Sequence, residues 1–326
     1  MSVPSEPAVA SAPTPRQAAD GDPTRAIVYA VCAVGMFAIQ DAFVKLLVAD
    51  YPTMQILGVR SLVMLIPAAI LLRAEGGLHR LRSRQPRGHA LRGFLTLATW
   101  ITFYFAIGRL PLGDMAAIFF SAPLMITALS GPLLGERVGA HRWTALLIGF
   151  LGVLLIARPS SDATGNWAGI VALVSSLFYA LMMIQTRRLT RTESSAAMLV
   201  YSAMFMTLVS IVTWPFQWVT PGSFDTMLLV ALGLLGGISH YIMIQAYRLA
   251  PVYVVAPFEY THLVWAMVLG YLIWAELPGM AMLVGAAVIV GSGLYVLARE
   301  ARFARRAAQM RATSPSDTQR ISDSGP

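Results

Sequence analysis

Apolar residues run through this chain in long blocks divided by short polar links. The pattern is neither the alternation of a half-buried strand nor the one-in-three stripe of a surface helix. Crossing a hydrocarbon core about 30 Å thick takes about 20 largely apolar residues. Ten blocks meet that need, at about 26–48, 53–72, 91–108, 113–134, 141–157, 167–186, 196–218, 226–248, 252–274 and 280–298. The links are short, as at Asp50-Tyr51-Pro52, Arg158 to Asn166 and Leu277-Pro278-Gly279. Short links suit antiparallel neighbours in a helix bundle. The predicted fold is an all-α integral membrane protein with ten transmembrane helices. Residues 1–25 are rich in Pro, Ala and Ser and lack the basic-then-apolar layout of a secretory signal. Residues 299–326 open with Arg299, Arg302, Arg305, Arg306 and Arg311, then turn to Ser, Asp and Pro. Both ends are expected to be disordered cytoplasmic tails.

Composition agrees with the pattern. Of 326 residues, 57% are hydrophobic and 12% charged, and the mean hydropathy is +0.65. A soluble domain carries about 25% charge, so a disordered chain and a water-soluble globule are both excluded. The net charge of +8 would suit an anionic partner such as nucleic acid if it formed one soluble face. It does not. With the N-terminus in the cytoplasm, 20 of the 24 Lys and Arg residues fall on the cytoplasmic side. Only Arg109 and Arg158 fall outside, and Lys45 and Arg60 lie within spans. Basic residues mark the cytoplasmic side of a membrane protein. Both termini are therefore expected in the cytoplasm, with the chain in a bacterial inner membrane. The charge reports orientation, and no nucleic-acid partner is expected. The single cysteine, Cys32, forms no internal disulfide.

The two halves repeat. From Arg109 the chain reads RLPLGDMAAIFFSAPLMITALSGPLLGERVG, and from Arg248 it reads RLAPVYVVAPFEYTHLVWAMVLGYLIWAELPG. Arg109-Leu110 matches Arg248-Leu249, Glu136 matches Glu276, and Lys45 lies opposite Arg187. The units are placed at 26–158 and 166–298, five spans each. An odd number of spans makes the second unit enter from the opposite face, which is an inverted-topology repeat. Two such units can exchange shapes around a site between them, as alternating access requires. Glycines in span 5 (Gly149, Gly152) and span 10 (Gly285, Gly291, Gly293) permit close helix contact, within the chain or in a homodimer.

With GERVG at Gly135–Gly139, AELPG at Ala275–Gly279, and FAIQDAFVKLL at Phe37–Leu47 followed by Arg60, the chain resembles the EamA-type carriers of the drug/metabolite transporter superfamily. The second unit departs from the pattern, with Leu277 and Pro278 where the first has Arg137 and Val138. The resemblance implies a carrier of small organic solutes such as amino acids, nucleosides, vitamins or cofactor-like metabolites. The first-span pattern also resembles a subgroup that includes S-adenosylmethionine and riboflavin carriers.

Charged groups within spans are costly and mark cavities or partners. Asp41 and Lys45 are four apart on one helix face. Asp41 and Arg60 lie equally far from the turn between spans 1 and 2, hence at one depth. They are expected to form a structural ion pair with Lys45, or a charged wall for a polar solute with Gln40 beside it. A second cluster is expected from His240, Glu259 and His262. The same mirror rule sets His240 level with residue 261, and Glu259 and His262 share a face. These three are candidates for proton coupling, since desolvated carboxylates and histidines titrate near neutral pH. Asp41, Glu259 and His262 are also candidates for contact with the solute. Trp100, Tyr104, Tyr179 and Tyr241 could stack on a planar one. No metal site and no cofactor are expected. Two other classes were weighed. Gly237-Ile238-Ser239-His240 faintly resembles a serine-hydrolase GxSG motif, with His262 as base, but its last glycine is missing. A passive channel does not need an inverted repeat. No GxxxxGK[ST] loop is present to drive a pump.

Overall fold

A computed structural model describes residues 22–134, 140–157, 167–189, 192–250 and 252–312. The GERVG segment with Glu136, Arg158 and the outermost parts of both tails lie outside these residues. The described residues form helices and contain no strand. In chain order these are α1 (Pro23–Leu47), α2 (Thr53–Ala74), α3 (Pro86–Ile107), α4 (Leu112–Phe119), α5 (Ser121–Leu134) and α6 (Ala140–Ala157). The second half holds α7 (Trp167–Leu189), α8 (Ser195–Gln217), α9 (Ser223–Leu249), α10 (Val252–Glu259), α11 (Thr261–Trp274) and α12 (Met280–Ala312). Among the described residues, seven segments are long and apolar enough to cross a membrane, α4 and α5 counting together as one. Shorter apolar stretches, Trp143–Ile156 and Met280–Val296, lie in α6 and α12.

Local chemistry sets the ends. The Asp22 carboxylate accepts from the N–H groups of Thr24 and Arg25, both at 3.1 Å, and Pro23 opens α1. Ser194 caps α8 by accepting from Ala197 N–H at 3.1 Å. The C-terminal end differs from expectation. α12 runs on to Ala312, so the basic start of the tail is helical. Its Ala- and Arg-rich sequence favours helix even without an apolar face.

Two spans are broken. α4 stops at Phe119 and α5 starts at Ser121. Pro123 lacks the N–H that would reach the Phe119 carbonyl, and its ring crowds that position. α10 stops at Glu259 and α11 starts at Thr261, whose hydroxyl donates to the Phe258 carbonyl at 2.6 Å. The break residues, Phe120 and Tyr260, are 140 positions apart in sequence. Their rings pack together at 5.1 Å between centroids.

The halves interleave. α1 packs on α9, α3 on α7, α2 on α8 and α6 on α12. Small residues let these pairs approach. A Cβ on Gly237 of α9 would lie 2.3 Å from Pro67 Cγ of α2. Gly152 of α6 and Gly285 of α12 face each other backbone to backbone: a Cβ on either would come within 2.8 Å of the other's carbonyl oxygen.

Candidate functional site

Interior polar groups join α1 to α2, α9 and α11. On α1, Gln40 and Asp41 are neighbours and so point about 100° apart. Gln40 turns toward α2 and α9. Its amide nitrogen donates to Ser239 Oγ at 3.1 Å, and its oxygen lies 3.5 Å from Arg60 Nη2. Asp41 turns toward α11, where its carboxylate lies 3.3 Å from His262 Nε2. Both side chains are less than one-fifth exposed.

This geometry corrects the expected Asp41–Lys45–Arg60 ion pair. The rotation of α1 sends each group to a different partner. Lys45 pairs with Glu276, at the end of α11, and donates to the Leu110 carbonyl at 2.8 Å. Glu276 in turn accepts from the Leu112 N–H at 2.7 Å, capping α4. Arg60 Nη1 donates to the Tyr104 hydroxyl at 2.9 Å, and its guanidinium lies 4.5 Å from the centre of the Trp100 ring.

The expected His240–Glu259–His262 cluster is also divided. Glu259 accepts from the Tyr247 hydroxyl. His240 Nδ1 lies 2.7 Å from the Gly236 carbonyl, and its ring meets Phe37 edge-on at 5.0 Å. Glu259 and His262 flank the break at Tyr260, and His262 meets Asp41 of α1; His240 also meets α1, but at Phe37. The Ser239–His262 pair has no nucleophile–base contact. Ser239 donates to the Leu235 carbonyl at 2.7 Å and accepts from Gln40. No group of three or more metal-ligating side chains occurs among the described residues.

Aromatic rings connect these groups. Trp100 meets Phe103 and Tyr104, Phe103 meets Phe119, and Phe119 meets Tyr179, with centroids 5.0–6.1 Å apart. Phe120 reaches both Tyr260 and His262. Trp100, Tyr104 and Tyr179 therefore belong to one wall. Tyr241 does not. It is 56% exposed and shares the outward stripe of α9 with Met227, Val230 and Ile238.

The sequence profile of the EamA-like transporter family matches residues 24–158 and, a second time, residues 166–298. This chain belongs to the EamA-like transporter family. Its relatives include the S-adenosylmethionine uptake transporter of Rickettsia conorii, 26% identical over 246 residues, covering 76% of this chain and 82% of that protein. The riboflavin transporter of Vibrio cholerae is 28% identical over 248 residues, with coverages of 76% and 82%. The pseudopaline exporter CntI of Pseudomonas aeruginosa is 26% identical over 268 residues, with coverages of 81% and 93%. One solved crystal structure superposes with a TM-score of 0.61 at 20% identity, covering 85% of this chain and 99% of that one, and so shares the fold. As an EamA-like protein of the drug/metabolite transporter superfamily, the chain is a multi-pass membrane transporter.

Sequence reading missed Tyr247 and Phe120 in this EamA-like site. Tyr247 sits nowhere near Glu259 by the mirror rule, so nothing marked it. Phe120 could have been found, since it lies 140 positions before Tyr260, the offset that also separates Glu136 from Glu276. The Lys45–Glu276 pair was also within reach: the expected topology puts both at the same membrane face.

Proposed function

We propose that this protein is a secondary active transporter of a small organic metabolite, working by alternating access between two oppositely oriented five-span units. The observation that carries the reading is the meeting of the two broken spans at Phe120 and Tyr260, beside Asp41, His262 and Glu259. Broken helices near mid-membrane are where such carriers build solute sites. The reciprocal packing of α1 on α9 and α3 on α7 supports the inverted repeat. The charge bias supports cytoplasmic termini in a bacterial inner membrane. Relatives named for S-adenosylmethionine, riboflavin and pseudopaline support a metabolite-sized solute.

In this reading Asp41 and Glu259 meet a cationic part of the solute, with His262 held beside Asp41. Trp100, Tyr104 and Tyr179 supply a flat wall. A carrier needs contacts that shut one end in turn, and the Lys45–Glu276 pair between α1 and the end of α11 fits that need, which a passive channel lacks.

Uptake of radiolabelled S-adenosylmethionine and riboflavin into liposomes carrying the purified protein tests it. Wild type is expected to exceed empty liposomes for a solute of this class. Asp41→Asn and Glu259→Gln are each expected to lower that uptake at least tenfold and to change its pH dependence. If both variants keep the rate and the pH profile of wild type, this site is wrong.

A further inference from the structure

Arg60 is one of the arginines within spans that lack a carboxylate partner among the described residues; another, Arg92 near the start of α3, has its donors taken by the Thr186 and Ser202 hydroxyls and the Met198 carbonyl. Asp41 has His262, Lys45 has Glu276, and Glu259 has the Tyr247 hydroxyl. Arg60 has no carboxylate within 4.0 Å among the described residues. Its two protein acceptors are neutral: the Tyr104 hydroxyl at 2.9 Å and, at a stretched 3.5 Å, the Gln40 amide oxygen. A guanidinium offers five N–H donors. Nε has no hydrogen-bond partner, yet it is not sealed from solvent, since no Arg60 atom is among the fully buried unpaired ones.

The residue as a whole is only 7% exposed. A cation held at this depth without a counter-charge is expensive. The Trp100 face and the Tyr104 hydroxyl account for where the side chain lies. They leave its charge uncancelled.

We propose that Arg60 is the anion subsite of the solute site, reserved for a carboxylate of the solute. This deepens the carrier reading above and rests on it. The planar fork of Arg suits a carboxylate bidentately. The long Gln40 contact is the one a carboxylate oxygen would replace. Gln40 stays oriented by its bond to Ser239. The next residue, Asp41, faces a different helix and supplies the opposite charge. A solute bridging them carries a carboxylate at one point and a cation at another, with a flat apolar part along Trp100. The solute class is therefore a zwitterion bearing a planar ring. Neutral solutes and pure cations are disfavoured, since either would leave Arg60 uncompensated.

Matched pairs that differ only in the carboxylate test this. The probes are L-tryptophan and L-tryptophanamide, L-phenylalanine and L-phenylalaninamide, and nicotinate and nicotinamide. Binding is read as thermal stabilisation of the purified protein across a concentration series. At least one acid is expected to bind wild type tenfold or more tightly than its amide. Arg60→Lys should keep part of that preference, and Arg60→Gln should abolish it. Should Arg60→Gln fail to fold, the wild-type pairs and Arg60→Lys still decide. Equal stabilisation by acid and amide, or none by any acid, overturns the assignment. Liposome uptake is scored separately, so the anion subsite can fail with the carrier intact, and the carrier reading can fail with carboxylate binding intact.

Discussion

Glu193 shows how much one side chain outside the spans can hold. It lies in the short link between α7 and α8, with its side chain only 2% exposed. Its Oε1 accepts from the Ser83 hydroxyl at 3.0 Å and the Arg84 N–H at 2.9 Å, and its Oε2 lies 3.3 Å from His89 Nε2. Burial pushes this carboxyl up. The Arg84, His89 and Ser83 contacts together outweigh burial and hold it below the usual carboxylate range. A depressed folded pKa means that folding favours the charged form. The stabilisation is therefore complete above the unfolded value of about 4.3 and is lost as pH falls through the lower folded value. Thermal melting is expected to hold steady down to about pH 5 and to fall below it. Glu193→Gln should remove that acid-side slope and lower stability at neutral pH by about 1–3 kcal/mol, because Arg84 N–H and His89 lose a charged acceptor. Melting curves in detergent from pH 3 to 7 read both effects; parallel curves for wild type and variant would refute this role.

Helix contacts obey a similar rule at the next scale, where backbone approach decides what a position tolerates. Gly285→Ala adds a Cβ 2.6 Å from the Gly152 carbonyl oxygen and 2.5 Å from Ile156 Cγ1. Backbone cannot step aside as a side-chain tip can, so α12 must shift off α6. A loss of about 1–3 kcal/mol is expected. Ala275 presents the opposite case. It ends α11 with φ at 55°, the left-handed region that glycine adopts freely. Ala275→Gly should be neutral or stabilise by up to about 1 kcal/mol, although glycine is usually the poorer residue near a helix. Denaturation midpoints of the two variants check the contrast in sign. The elements themselves were legible, since lipid demands an unbroken apolar run and short links leave few registers. The break at Phe120 was legible through Pro123, whereas the break at Tyr260 depends on a hydroxyl contact that composition does not announce. Partner choice was the least legible feature. The equal depth expected of Asp41 and Arg60 came from counting away from a turn. Which neighbour each one faces depends on the rotation of α1 and on α11, a helix from the other half of the chain.

The whole molecule is asymmetric in a way its repeated sequence is not. At one end α4 packs closely on α11, while no comparable packing joins α5 to α10 among the described residues. That end carries the Lys45–Glu276 pair, which ties α1, the start of α4 and the end of α11 together. Lys45 also sits 4.8 Å from the centre of the Trp274 ring. In the proposed orientation, with both termini cytoplasmic, this pair sits at the outer end. Alternating access needs that latch to release, and a balance between two states responds tenfold to about 1.4 kcal/mol. Lys45→Met or Glu276→Gln should therefore shift the population toward the outward-open state. The natural Cys32 would be replaced by Ser, and a reporter cysteine placed at Met267, which lines the small cavity beneath Glu276. An impermeant thiol reagent added outside intact cells is expected to label the reporter at least tenfold faster once the latch is cut. Lys45→Glu combined with Glu276→Lys restores opposite charges across the same gap and should slow labelling again. Unchanged labelling in both single variants would mean that helix packing alone closes the outer end, with the ion pair a passenger.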